Sequence, residues 1–318
     1  MTAKETISWG ILGAGEVAEV KSGPAFQKAE NSRLLAVMRR DKAKAEDFAE
    51  RHNVAKCYDT VESLLNDSEI GAIYIATPPK YHKDLAIQAL EAGKHVYLEK
   101  PMALNSIESE EIIKCLEKTK QKLSVAHYRR ELDSFIHIGR LLKEKTIGDV
   151  RFARISILQP PVSSIVAQTD TNWRVDPEVS GGGLFHDLAP HQIDLMLKWF
   201  GMPLKIVGLA GNQSKQNQAD DLVTGSYICK DDILVHGIWD FAVAEEQAMD
   251  RCEIFGSNGV ITFSYFGDKV TWQTKEGSFE KQFSLPENVQ LPMIQKVTNY
   301  FLGLDENPCS ADEALEVM

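Results

Sequence analysis

Three residues far apart in the chain have side chains that could share one reaction: Lys100, Asp187 and His191. Lys100 stands in "YLEKP", between Glu99 and Pro101, at the end of a run that reads as a strand. Ligands of open α/β sheets bind at the carboxyl ends of strands, so an ammonium there can face one. Asp187 and His191 stand in "GGGLFHDLAPHQID", with Asp194 three residues beyond. On a helix these three share a face that would otherwise be apolar, which suggests a cavity. Pro190, between them, fits only in a first helical turn or at a kink. A hydride delivered to a ketone leaves an alkoxide, which needs a proton donor and a nearby positive charge. His191 can supply the proton and Lys100 the charge. Asp187 can fix the imidazole tautomer or hold a substrate hydroxyl. The plainer readings are a surface ion pair for Lys100, a helix N-cap for Asp187 and a satisfied core histidine for His191. His186, Asp187, His191 and Asp194 are also capable metal ligands, but no further cluster supports them, so no metal is expected.

Hydride chemistry needs a carrier, and the start of the chain offers a place for one. After the strand "TISWGIL" comes Gly13-x-Gly15-x-x-Ala18, opening a helix expected over 16–30. That is the dinucleotide fingerprint in its required context. Gly13 makes the turn, Gly15 lets a pyrophosphate touch the backbone, and Ala18 lets helix and strand pack closely. Glu16 and Val17 open the helix, whose N–H groups face the phosphates. The second strand ends in "AVMRRD". Arg39 and Arg40 favour the 2′-phosphate of NADP(H); Asp41, slightly later, keeps NAD(H) open.

The surrounding elements alternate. Strands at 33–38, 71–77, 95–100 and 123–128 are separated by helices at 42–52, 81–93 and 106–121. Apolar periodicity puts Ala45, Phe48 and Ala49 inward on one helix, and Leu85, Ala86, Ala89 and Leu90 on the next. This pattern means a doubly wound parallel sheet, an N-terminal Rossmann domain over residues 1–124. Residues 125–318 change character. A helix at 133–145 is followed by strands at 149–159, 205–211, 222–229, 233–243 and 250–255, and "EIFGSNGVITF" signals a hairpin. The second unit is thus an α+β domain on a large, mostly antiparallel open sheet. The helical "SADEALEVM" is expected to pack back on the first domain.

Bulk properties exclude other classes. The 318 residues carry a net charge of −11, so a nucleic-acid partner is not expected. No apolar run is long enough to span a bilayer, and the N-terminal stretch lacks a signal-peptide h-region. Five scattered cysteines form no C-x-x-C pair and read as reduced thiols of a cytoplasmic protein.

In "GILGAGEVA", "ATPPKYH", "EKP", "IGDV", "WR" and "GGGLFHDLAPHQID", taken in order, the chain resembles the Gfo/Idh/MocA oxidoreductases. The resemblance implies that Lys100, Asp187 and His191 are catalytic. It implies that Thr77, Pro78 and His82 lie beside the cofactor, and Glu99 near the nicotinamide end. Tyr128, Arg129, Trp173 and Arg174 become candidate substrate contacts. Pro190 departs from the small residue, often glycine, that many relatives carry. The implied reaction moves hydride between NADP(H), or NAD(H), and a sugar, inositol or related polyol. The implied assembly is a homodimer or homotetramer through the second-domain sheet. Two other readings share this sequence: a glycosidase with transient redox and no net cofactor turnover, and a non-catalytic nicotinamide sensor.

Overall fold

The first strand, β1 (Ile7–Leu12), is buried along almost its whole length, as a central strand of a parallel sheet must be. The computed structural model that contains it describes residues 6–15, 18–166 and 172–318. The helix expected over 16–30 is broken. A π turn spans Ala18–Ser22, and a short α1 (Ala25–Lys28) follows. Pro24 lacks an N–H and cannot continue a preceding turn. Gly23 donates to the Ala18 carbonyl at 2.7 Å, so closely that a Cβ on Gly23 would lie 2.4 Å from that oxygen.

Next come β2 (Ser32–Met38), α2 (Lys42–Arg51), β3 (Lys56–Tyr58), α3 (Val61–Leu65), β4 (Ala72–Ile75), α4 (His82–Glu91), β5 (His95–Leu98), α5 (Ser106–Lys118) and β6 (Leu123–Val125). α2 buries Ala45, Phe48 and Ala49, the face its periodicity marks. α4 buries Ala86, Ala89 and Leu90, whereas Leu85 is only half-buried and lines a cleft. The strands are all parallel, in the order β3-β2-β1-β4-β5-β6. The order reverses between β1 and β4, and the carboxyl ends there are where such sheets bind ligands.

The chain then forms α6 (Asp133–Lys143), β7 (Val150–Leu158), α7 (Pro177–Ser180), α8 (Gly183–Phe200), β8 (Lys205–Gly211), β9 (Leu222–Ile228) and β10 (Leu234–Asp240). The last elements are β11 (Met249–Gly256), β12 (Gly259–Phe263), β13 (Lys269–Thr274), β14 (Gly277–Gln282), α9 (Leu291–Phe301) and α10 (Ala311–Val317). Strands β7–β14 make one eight-stranded sheet in the order β14-β13-β12-β11-β7-β10-β9-β8. Only the β7–β10 pair is parallel. α6 and α8 pack on one face of it.

The chain does not stay in the second unit. α9 packs against α1, and α10 against α5, β6 and α8. Before α10, the Asn307 amide donates to Leu123 O at 2.8 Å, and Cys309 O accepts from Val125 N at 3.0 Å. This run therefore extends the free edge of the parallel sheet. α10 opens on a capping box of Ser310 and Glu313. Among the described residues no helix is long and apolar enough to cross a membrane.

Candidate active site

Gly13 leaves β1 with φ +87°, and a Cβ there would lie 2.8 Å from Thr77 Cγ2 and 3.0 Å from Thr77 N. The two strand ends at the sheet's reversal point thus touch through Gly13. Gly15 differs: a Cβ would meet only Gly13 O, at 3.9 Å. Among the described residues nothing requires glycine at 15, which is what a site for a closely approaching ligand looks like. Glu16 and Val17 lie outside the described residues.

Both glycines line a cleft of about 650 Å³. Thr77, Pro78, Tyr81, Trp173 and Arg174 also line it, and Arg39, Arg40, Asp41 and Lys44 close the β2 end. Asp41 caps α2, its carboxylate accepting Lys44 N at 3.3 Å, and Arg40 lies 5.8 Å over the Tyr81 ring. Three cations thus stand around an aspartate already engaged by the backbone. Thr77 Oγ1, deeper in, is buried with no hydrogen-bond partner among the described residues. The volume of the cleft, the bare Gly15 and the orphaned hydroxyl fit a dinucleotide.

A second cavity, about 60 Å³, shares Ala76, Thr77, Trp173 and Arg174 with the cleft. It is lined by Lys100, Asp187 and His191 together. Lys100 leaves the end of β5, and a cis peptide joins it to Pro101. Its ammonium donates to Asp187 Oδ1 at 2.8 Å and to Asp187 O at 2.7 Å. Arg174 Nε donates to Asp187 Oδ2 at 3.1 Å, and its guanidinium lies 4.5 Å over the Trp173 ring. Asp187 is therefore held by two cations, one from each unit of the chain. α8 puts His191 one turn beyond Asp187, as the spacing requires, and runs unbroken through Pro190 rather than starting there. The proline leaves the His186 carbonyl without its helical donor. The His191 ring is buried and meets Tyr128 and Phe266 edge-on, at 5.3 and 6.0 Å between centroids.

Of the remaining expected residues, Glu99 also lines this cavity, whereas Asp194, His82 and Arg129 stand outside it. Asp194 faces away from the cavity and accepts from Arg130 Nε at 2.9 and 3.1 Å and from Arg130 Nη2 at 2.7 Å. His127 and Cys309 lie close by, all three groups within 4.8 Å, but the guanidinium occupies both Asp194 oxygens. Glu99 is buried and takes hydrogen bonds from Tyr74 at 2.5 Å and Gln290 at 2.6 Å. His82 lies outside both cavities and braces them, its ring nitrogens 2.9 Å from Pro101 O and 2.8 Å from Thr77 O. Burial holds its pKa below the usual histidine value although both carbonyls favour the charged form. Arg129 also stands behind the wall, 4.2 Å over the Phe266 ring.

Phe266, Gln290 and Ile165 line the cavity without having been singled out by sequence. They come from the β12–β13 turn, the approach to α9 and the loop after β7. None sits in a local motif, and only the tertiary fold brings them in.

Comparison with known proteins agrees with the fold. A family described as "Oxidoreductase family, NAD-binding Rossmann fold" matches residues 7–127, and the GFO/IDH/MocA C-terminal domain matches residues 135–262. The chain is 45% identical to oxidoreductase P35 of Formosa agariphila, over 98% of this chain and 96% of that one. It is 30% identical to the scyllo-inositol 2-dehydrogenase (NADP(+)) of Bacillus subtilis, over 63% of this chain and 53% of that one. The crystal structure of an aldose-aldose oxidoreductase from Caulobacter crescentus, complexed with glycerol, shares the fold. Its TM-score is 0.86 at 20% identity, covering 98% of this chain and 94% of that one.

Proposed function

Because this chain belongs to the GFO/IDH/MocA oxidoreductases, with their NAD(P)-binding Rossmann fold, we propose that it is a dehydrogenase or reductase acting on CH–OH groups of sugars, inositols or related polyols, with NADP(H) as its preferred cofactor. The observation that carries the reading is the Lys100–Asp187–Arg174 cluster, sharing a cavity with His191 at the inner end of the dinucleotide cleft. When bound, the nicotinamide supplies or accepts the hydride. Gly13, Gly15, Thr77 and Pro78 hold the dinucleotide, and Arg39, Arg40 and Lys44 take its 2′-phosphate. Asp187 aims the Lys100 ammonium into the cavity, where it stabilises negative charge on the reacting oxygen. His191 gives that oxygen its proton in reduction and removes it in oxidation.

The open face of the second sheet supports the expected homodimer or homotetramer. Val207 and Leu209 are more than half exposed there, and Phe152 stacks on Phe255 at 4.5 Å. Five free cysteines accord with a cytoplasmic protein.

Titration with NADPH and NADH, followed by cofactor fluorescence, tests the cofactor. NADPH is expected to bind more tightly, and Arg40→Ala to erase the difference; equal or inverted affinities overturn the preference. With a substrate in hand, Lys100→Ala and His191→Ala are expected to lower kcat by ~10²-fold or more while NADPH still binds. A near-wild-type rate in either removes that residue from the chemistry.

A further inference from the structure

We propose that Phe266 selects ring-shaped substrates over open-chain ones, with Arg129 and Asp250 as the positioning residues that hold it. The inference rests on the redox reading above and names which polyols that site takes.

Phe266 lies in the turn between β12 and β13 and reaches the cavity from the second sheet. The turn is tied down from two directions. Asp250, on β11, accepts Tyr265 N at 3.0 Å and Phe266 N at 2.7 Å, and its carbonyl accepts Ser264 Oγ at 2.7 Å. Arg129, from the start of the second unit, donates to Tyr265 O. Its guanidinium lies 4.2 Å over Phe266 and 5.3 Å over Tyr128, so one cation backs both rings that meet His191. Arg129 is only 4% exposed, and its Nε has no hydrogen-bond partner among the described residues. A buried guanidinium is costly unless compensated, and here the Tyr265 carbonyl, the Asp250 charge and the two ring faces compensate it. The same contacts fix the two aromatic walls beside the imidazole.

The cavity they bound is two-natured. Phe266, Tyr128, Ile165 and Leu188 supply apolar surface, while Lys100, Asp187, Arg174 and Gln290 supply polar groups. A pyranose or cyclitol has the same division: C–H groups across its ring face and hydroxyls around its rim. An open-chain polyol carries hydroxyls on every side. Against an aromatic wall some of them lose their partners, and its many rotors must be frozen.

The test measures kcat/KM for myo-inositol and D-glucose against D-sorbitol, with NADP, for the wild type, Phe266→Leu, Phe266→Tyr and Arg129→Lys. NADPH affinity is measured alongside as the check that each variant is folded. The wild type is expected to prefer the rings. Phe266→Leu should reduce that preference by about 10-fold, mostly through KM for the ring substrates. Phe266→Tyr should restore it, and Arg129→Lys should shift it in the same direction as Phe266→Leu. Asp250→Asn is the second positioning variant should Arg129→Lys fail to bind NADPH. A purely structural role would lower all three substrates alike, and that result overturns the inference. So does a wild type that oxidises sorbitol as readily as the rings, although the redox function then stands. A wild type that oxidises none of them overturns the function, and the inference with it.

Discussion

At the scale of single residues, the two loop glycines make separable predictions. Gly13→Ala forces a left-handed φ on alanine and pushes a methyl into Thr77, so it should destabilise the fold by at least ~1–2 kcal/mol. Gly15→Ala meets almost nothing and should leave stability within ~0.5 kcal/mol, yet weaken NADPH binding by about 10-fold or more. Denaturant unfolding and fluorescence titration of both variants check this; normal NADPH affinity in Gly15→Ala would mean that no ligand presses there. Why some of the site is legible in sequence and some is not follows from distance along the chain. Gly13 and Gly15 sit in a six-residue motif, and Asp187 and His191 lie one helical turn apart, so spacing alone places them together. Lys100 is legible because a strand end is a defined place. Phe266 and Gln290 reach the cavity from turns with no pattern of their own. Arg129 is conspicuous by type and neighbourhood, but only coordinates reveal that its guanidinium stands behind a phenyl ring rather than in the cavity.

At the scale of elements, α8 carries two of the three proposed catalytic side chains with weak local support. Its N-cap is Gly182 with no side-chain bond, and Pro190 removes one backbone bond midway. Its hold comes from tertiary contacts: Asp194 to Arg130, and Gln192 accepting from Trp239 at 3.2 Å. Asp194→Ala should therefore leave the Arg130 charge buried without its main partner and lower stability by ~3–5 kcal/mol in urea unfolding. A loss below about 1 kcal/mol would mean that Glu313, already 2.7 Å from Arg130, takes over the pairing. Elements with one clear apolar face, such as α2, are legible from periodicity. The short β3 and α3 hold too few residues for a period to register. β14 is almost wholly exposed, so it has no buried face to mark it. The break after the glycine loop escaped the expectation of one helix over 16–30, although Gly23-Pro24 is the local signal that marks it.

At the scale of the whole molecule, buried histidines set a pH dependence. Burial holds His82, His95, His127, His137 and His186 below their ordinary pKa. Unfolded, they take up protons near pH ~6.5. Below that value the unfolded chain binds more protons than the folded one, so stability falls as pH falls. Asp67, held down to about 2 by Lys56, withdraws its contribution only at far lower pH. Asp250, raised by burial, works in the opposite sense, but it is one group against five. Tm is expected to drop steadily from pH 7.5 to pH 5; a flat or rising profile would refute this account. A second consequence lies in the return of the chain to its starting domain. Residues 307–309 lie along β6, and Glu313 reaches the guanidinium that anchors α8. On the ribosome, the parallel sheet therefore waits with an open edge while nearly two hundred further residues are made. The first unit thus covers its last edge only once the second has been synthesised, although the two are successive in sequence.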